Sequence, residues 1–362
     1  MSIWKLWNSK VVLIIYPVVS SFGKDNTGGF SHLRGNIEVY KHLGFKVICL
    51  CRFHPRLFYI KDGVYFFNLI PGRARPTASE CETIGKNIKD DRDLFRKFLM
   101  TIRGLFSHSI LGLLIYCLRP ALVHQRANSR VMAYRGLGHA KYLLELNDEF
   151  ESKGYRDAYL SITPRKHIKC PSLINSWPVV SYNEIDEEFI KKKFREIPLK
   201  KSLQIVLYGV GGIDNIDEVL DFISGHVWVR SKKFKLYIYG ALGKSKRNIK
   251  FMGFEDDVNS CLQRYDLGLI FYSKEKYPDT RIRQGDPSKF YKYVDSCLPI
   301  ISNREHISNF YLNNMDQSSS VFKNNKLLEE GIQFMKTRRE SASVEFYAQR
   351  LKELLNQIDC PY

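Results

Sequence analysis

Three short stretches bring together residue types that handle an anion. In the first, Thr27, Gly28 and Gly29 fall between the apolar run VVLIIYPVV (11–19) and FSHLRGNIEVYKHLG (30–44). Glycines between a strand and a helix let backbone N–H groups approach a phosphate at the helix start. An ordinary tight turn uses the same residues, and the spacing alone does not separate the two readings. Gly209, Gly211 and Gly212 repeat the arrangement after SLQIVLY (202–208). The third stretch is DPSKFYKYVDSCLPII (286–301). Asp286 suits a helix N-cap and Pro287 the first helical position, which leaves Ser288, Lys289 and Phe290 with open N–H groups. Lys289 and Lys292 then project from the first turns, with Arg281 and Arg283 just upstream. A lone cation at a helix N-terminus is unfavourable by about 0.3–1 kcal/mol, and a bound diphosphate reverses that sign. The stretch therefore reads as a phosphate socket, or equally as a solvated basic loop in which Lys289 is exposed.

Other candidates stand at the ends of apolar runs. Arg126 ends ALVHQR (121–126), and Glu145 and Asn147 lie toward the end of YLLELND (142–148). Each suits a ligand contact or a structural salt bridge. His32 falls on the helix after the first glycine loop, and His139 reads as a surface residue. Asp91-Arg92-Asp93 has the form of an Asp-x-Asp metal motif but sits in a polar stretch with no strand before it, so no Mg²⁺ or Mn²⁺ is expected. The eight cysteines include no Cys-x-x-Cys pair and no accompanying His cluster, which argues for reduced thiols and against zinc.

The elements that must position these residues follow a βαβ rhythm. Strands are expected at 11–19, 45–53, 64–70, 121–126 and 142–148, with helices at 30–44, 94–118 and 131–142. The rhythm resumes with strands at 202–210, 234–240, 249–254, 267–272 and 298–302 and helices at 216–223, 256–265 and 287–296. A last amphipathic helix runs from about 341 to 357. The pattern predicts an α/β protein with two Rossmann-like domains facing a cleft. The boundaries expected are 1–184 for the first domain, 185–201 for a charged linker, 202–340 for the second domain, and 341–362 for a helix returning to the first.

A chain of 362 residues exceeds one ordinary core. No 20 to 50 residue repeat or low-complexity run is visible. The formal charge of +18 is unevenly placed. Residues 1–141 hold 22 Lys/Arg against 8 Asp/Glu, a net of +14, whereas residues 142–362 hold 34 against 30, a net of +4. The first half thus faces something anionic: nucleic acid, a lipid surface or a phosphorylated substrate. Pro17 interrupts the opening apolar run and no small-residue cleavage site follows, so a buried strand is expected there rather than a signal peptide. LFSHSILGLLIYCL (105–118) is too short to span a bilayer, and a cytoplasmic protein is expected. The basic amphipathic segment 94–118 suits an anionic membrane surface, or a core helix with a basic exposed face.

The order of these segments resembles the two-domain GT-B glycosyltransferases, and more closely the retaining family four with its bacterial envelope-polysaccharide members. The segments that carry the likeness are the 11–48 strand, loop and helix, ALVHQR, LLELND, IVLYGVGG, LYIYG, NIKFMGF, DDV, YDLGLIF and SKFYKYVDSCLPII. The resemblance implies sugar transfer from a nucleotide-diphosphate donor to a lipid-linked glycan acceptor, with no metal or other cofactor and no nucleic-acid partner. Arg126, Glu145 and Lys289 would carry the chemistry. Gly28, Gly29, Gly209, Gly211, Gly212, Phe254, Arg281, Arg283, Asp286, Ser288, Lys289 and Lys292 would hold the donor, with Phe254 near its base. Two departures stand out. Ile213, Asp214 and Asn215 replace the family's basic phosphate clamp. Gln284 and Lys292 occupy the places of its two glutamates, and an ammonium cannot accept a hydrogen bond from a ribose hydroxyl. The rival readings are a catalytically silent GT-B partner subunit and a basic nucleic-acid-binding protein. Most aromatics fall in apolar strands, which disfavours the latter.

Overall fold

The computed structural model describes residues 10–16, 28–52, 58–70, 112–113, 115–126, 140–146, 156–161, 170–174, 186–209, 216–225, 232–240, 245, 247–253, 261–273, 288–303 and 325–360. The chain forms two compact units. One comprises Met1–Asp25, Gly29–Val180 and Val344–Tyr362, and the other Asn26–Gly28 and Ser181–Ser343. Each is built on a mainly parallel sheet.

In the first unit the strands are β1 (Val11–Tyr16), β2 (Lys46–Arg52), β3 (Phe58–Lys61), β4 (Val64–Ile70), β5 (Leu122–Arg126), β6 (Lys141–Leu146), β7 (Ala158–Ser161) and β8 (Ser172–Ile174). They lie in the order β3-β4-β2-β1-β5-β6-β7-β8, parallel except for the edge pair β3 and β4. Every residue of VVLIIY in β1 is buried, as expected of a central strand covered on both faces. Its even-numbered residues Val12, Ile14 and Tyr16 pack with Leu33, Ile37 and Tyr40 of helix α1 (Gly28–His42). Val11, Leu13 and Ile15 face the opposite layer, with Ile115 and Tyr142. The final helix, numbered α6 below (Val344–Gln357), buries Tyr347, Ala348, Leu351, Leu354 and Leu355 in the same cluster as α1. β1 pairs with β2 on one side and β5 on the other, so the strand order reverses at β1/β5.

The second unit begins with α2 (Glu187–Glu196), capped by Asp186, whose Oδ1 accepts from Phe189 N at 2.9 Å. Its strands are β9 (Ser202–Tyr208), β10 (Lys233–Tyr239), β11 (Ile249–Gly253), β12 (Leu267–Ile270) and β13 (Ile300–Ser302), all parallel in the order β11-β10-β9-β12-β13. The helices are α3 (Ile216–Gly225), α4 (Ser288–Asp295) and α5 (Asn325–Ser341). Here the order reverses at β9/β12. Tyr293 of α4 is locked over that junction: its Oη accepts from Tyr208 N at 2.8 Å and faces Leu269 O at 3.0 Å and Val206 O at 3.2 Å. Gly268 makes room for the ring, because a Cβ there would lie 2.7 Å from Tyr293 Cγ.

Several sequence expectations change. β3, β7 and β8 were not anticipated, and neither was α5, which precedes the last helix as a separate element. Lys141 belongs to strand β6, which starts one residue before the expected 142, because β5 recruits it in parallel register. Of the basic segment 94–118, residues 112–113 and 115–118 are helical and 94–111 lie outside the described residues. Asp91 to Asp93, His139 and Asn147 also lie outside them. Among the described residues no helix is long and apolar enough to cross a membrane. The cysteines Cys49, Cys51, Cys117, Cys170, Cys261, Cys297 and Cys360 are free thiols.

Candidate active site

The first unit gathers a polar cluster at the carboxyl ends of its central strands. Tyr16 closes β1, His124 and Arg126 lie on one face of β5, and Glu145 of β6 is in register with Arg126. Helix α1 adds His32, Asn36 and Tyr40 at four-residue spacing, one above another on the face turned to the sheet.

Glu145 is the hub and is fully buried. Its Oε2 accepts from Tyr16 Oη at 2.5 Å and from Asn36 Nδ2 at 3.2 Å, and lies 3.0 Å from His124 Nε2. Its Oε1 lies 3.2 Å from His32 Nδ1, with Arg126 Nε at 3.9 Å. A carboxylate only accepts, so the neutral tautomer of His124 that fits carries its proton on Nε2. Nδ1 of that ring then accepts from Tyr40 Oη at 3.0 Å. Burial alone would raise the Glu145 pKa, but His32 and His124 outweigh it and hold the carboxyl well below its ordinary range. Burial lowers the His32 pKa despite the neighbouring carboxylate, so this imidazole is neutral at pH 7. Burial, seconded by Glu145, keeps the Tyr16 phenol protonated. The guanidinium carbon of Arg126 lies over the Tyr16 ring, 5.2 Å from its centroid, and the side chain is a counter-charge of Glu145. Its side chain retains 11% exposure, against none for Glu145, His32 and His124.

Of the expected residues, Arg126, Glu145 and His32 thus meet in one cluster of the first unit, and Gly28 and Gly29 open α1. Tyr16, Asn36, Tyr40 and His124 were not anticipated. Two signals were present: a polar stripe at 32, 36 and 40 on an otherwise apolar helix face, and a histidine inside a buried strand.

In the second unit, Gly209 follows β9 with φ +77° and Lys289 lies in the first turn of α4. Lys289 is not the exposed cation that its position at a helix start suggested: it is 5% exposed, with Nζ 4.5 Å from the Tyr272 ring centroid. The cause is Tyr272, which follows β12 and is clamped by Asn303. Asn303 Oδ1 accepts from Tyr272 N at 3.0 Å and its Nδ2 donates to Tyr272 O at 2.6 Å. Lys292 lies one turn further in. The helix has eight residues, so that turn is also its last, where a cation is favoured by the dipole. Ser288 opens the helix. Gly211, Gly212, Phe254, Arg281, Arg283 and Asp286 lie outside the described residues. Among the described residues no group of three His, Cys, Asp or Glu side chains is placed to hold a metal ion.

Solved structures of similar architecture span the whole chain. A trehalose-6-phosphate synthase, OtsA, aligns over 96% of this chain and 99% of its own with a TM-score of 0.54 at 9% identity. An α,α-trehalose-phosphate synthase (UDP-forming) from Burkholderia vietnamiensis aligns over 98% and 100% with a TM-score of 0.55 at 8% identity. TarM aligns over 98% and 99% with a TM-score of 0.52 at 9% identity. The fold is GT-B. No family model and no curated protein matches the sequence, so the likeness is one of fold.

Proposed function

We propose that the chain is a glycosyltransferase that moves a sugar from a nucleotide-diphosphate donor to a lipid-linked glycan acceptor in cell-surface polysaccharide synthesis, with retention. The observation that carries the reading is the placement of Lys289. A buried ammonium stands at the start of α4, the helix locked over the β9/β12 junction, beside the carboxyl end of β12. In open α/β sheets ligands bind outside the carboxyl ends of the strands where their order reverses. A preorganised cation in a dry setting stabilises charge developing on a leaving diphosphate far better than a solvated one. Two solved structures of this fold, a trehalose-6-phosphate enzyme bound with UDP-2-fluoro glucose and a UDP-forming synthase, support a donor of that kind here.

In this reading Lys289 meets the diphosphate together with the loop at Gly209, and Arg281, Arg283, Asp286 and Ser288 complete the socket. Arg126 stands on the acceptor side. No metal takes part, and the protein works on the inner face of the membrane, held there by its basic first half. Thermal-shift measurement against a panel of nucleotide sugars tests the donor, since a ligand that binds only the folded state raises the melting point. A stabilising nucleotide sugar, with transfer unaffected by EDTA, is expected. A panel with no stabilising member would overturn the reading. A second reading, a silent partner subunit, is favoured by Lys292 where the family has a ribose-binding glutamate. It predicts nucleotide binding without turnover.

A further inference from the structure

We propose that the first unit carries a second anion subsite, in which Arg126 binds a phosphate group of the acceptor and Glu145 acts as a positioning residue for its guanidinium. Assignment to the acceptor rests on the glycosyl-transfer reading, whereas the subsite itself does not.

Burying a carboxylate with the Arg126 Nε 3.9 Å from it is a costly way to fill a core, since a well-packed apolar residue in place of a buried ion pair is often neutral or stabilising. The arrangement makes sense as a mounting. Oε2 of Glu145 is fixed by Tyr16, Asn36 and His124, and Tyr40 in turn fixes His124. The Tyr16 ring that anchors the carboxylate is also the surface over which the guanidinium lies. The Tyr16 ring and the Glu145 carboxylate therefore both bear on the position of the Arg126 guanidinium.

Access points the same way. Glu145, His32 and His124 have no side-chain exposure, and Arg126 is the charged member with an opening to solvent. It sits where the strand order reverses, at the carboxyl end of β5 next to that of β1. A planar guanidinium matches two oxygens of a phosphate, a fit that a flexible ammonium does not offer. The net charge of +14 on residues 1–141 draws such a ligand in.

Arginine-directed modification of the full chain by phenylglyoxal, read by peptide mass spectrometry, tests the subsite. Inorganic phosphate is expected to protect Arg126. Arg126→Lys keeps the charge and loses the fork, and should weaken phosphate binding, measured by calorimetry, by about ten- to a hundred-fold. Glu145→Gln separates positioning from plain electrostatics. Deleting the negative charge would tighten phosphate binding if Glu145 were only a counter-charge, whereas loss of positioning weakens it, the expected result. Tyr16→Phe, which keeps the ring and removes one hydrogen bond to Glu145, repeats that test if Glu145→Gln does not fold. Binding that stays level or tightens in the variant that folds would overturn the positioning role. Lack of protection by phosphate would overturn the subsite. Protection by a nucleoside diphosphate alone, lost in Lys289→Ala, would overturn it too, by assigning Arg126 to the donor. Protection by phosphate with no nucleotide binding anywhere would leave the subsite standing and remove the glycosyl-transfer reading.

Discussion

The ammonium of Lys289 lies 4.5 Å from the centroid of the Tyr272 ring, and the residue is 5% exposed. A cation held this way is part of the fold and, in the proposed function, preorganised for the diphosphate. Lys289→Ala should therefore lower the melting point, through a lost cation–π contact of about 0.5–2 kcal/mol and the lost packing of the aliphatic stem. It should also weaken nucleoside diphosphate binding by about ten- to a hundred-fold, as expected for one charge-assisted contact. Lys289→Met retains most of the stem, so it should recover part of the stability and none of the affinity. Calorimetry beside a melting curve reads both. Unchanged affinity in Lys289→Met would remove the diphosphate from this helix start.

The Glu145 cluster makes stability fall in acid in two stages. His32 has a depressed pKa in the folded state, so below its ordinary value of 6.5 the unfolded chain takes up a proton that the folded chain does not. Stability is thus full above that pH and declines as pH falls below it. Glu145 is depressed as well, so a second loss begins below its ordinary 4.5 and continues toward its folded value. Among the described residues, the charged and titratable groups facing this pair include Arg126, His124, Tyr16 and Tyr40. Denaturant unfolding at a series of pH values should show both declines, and His32→Gln should flatten the first. A first decline unaltered in His32→Gln would assign it to another group.

Much of this architecture was legible from period alone. β1 reads as a central strand because six consecutive apolar residues admit no exposed face, and α1 reads from Leu33, Ile37 and Tyr40. The edge strand β3 was missed although Asp62-Gly63 marks it. Both residues have positive φ, 51° and 77°, as a two-residue hairpin turn requires. FYIK is short and half exposed, so its composition gave no second signal. β7 and β8 have four and three residues and exist through pairing with β6, which no local pattern encodes. The polar cluster of the candidate site was legible where a polar residue ends an apolar run, as at Arg126 and Glu145. It was obscured at Tyr16, because a tyrosine in a buried strand looks like packing until its hydroxyl finds a carboxylate. Burial of Lys289 depends on Tyr272 and Asn303, which are distant in sequence.

The thiols should divide sharply in reactivity. Burial raises Cys51 and Cys360 to about 12 and Cys49 well above the ordinary value, so little thiolate exists at pH 8. Cys117 is exposed. Iodoacetamide at pH 8 on the native chain, read by peptide mass spectrometry, should label Cys117 and spare Cys49, Cys51 and Cys360 until denaturant is added. Prompt native labelling of Cys49 would mean that the β2 layer opens far more readily than its burial implies.

Gly268 and Tyr293 should behave as one unit. A Cβ on Gly268 would meet the Tyr293 ring at 2.7 Å, closer than any real contact, and both partners are held. Gly268 lies in β12 between β9 and β13, and Tyr293 Oη is tied to the backbone of Tyr208, Val206 and Leu269. Neither yields without breaking a hydrogen bond, so Gly268→Ala should cost about 1–3 kcal/mol, the range of overpacking in a close-packed core. Tyr293→Phe leaves Tyr208 N without its buried acceptor and should cost about 1–3 kcal/mol by a separate route. Because α4 is seated by this ring, each change should also reduce nucleoside diphosphate affinity through a displaced Lys289. In the double variant the ring is no longer tethered and can shift away from the new methyl. The combined loss of stability should therefore be smaller than the sum of the two single losses, since contacting residues are not additive. Denaturant unfolding of the four proteins closes the cycle. Strict additivity would show that the ring is not what Gly268 makes room for.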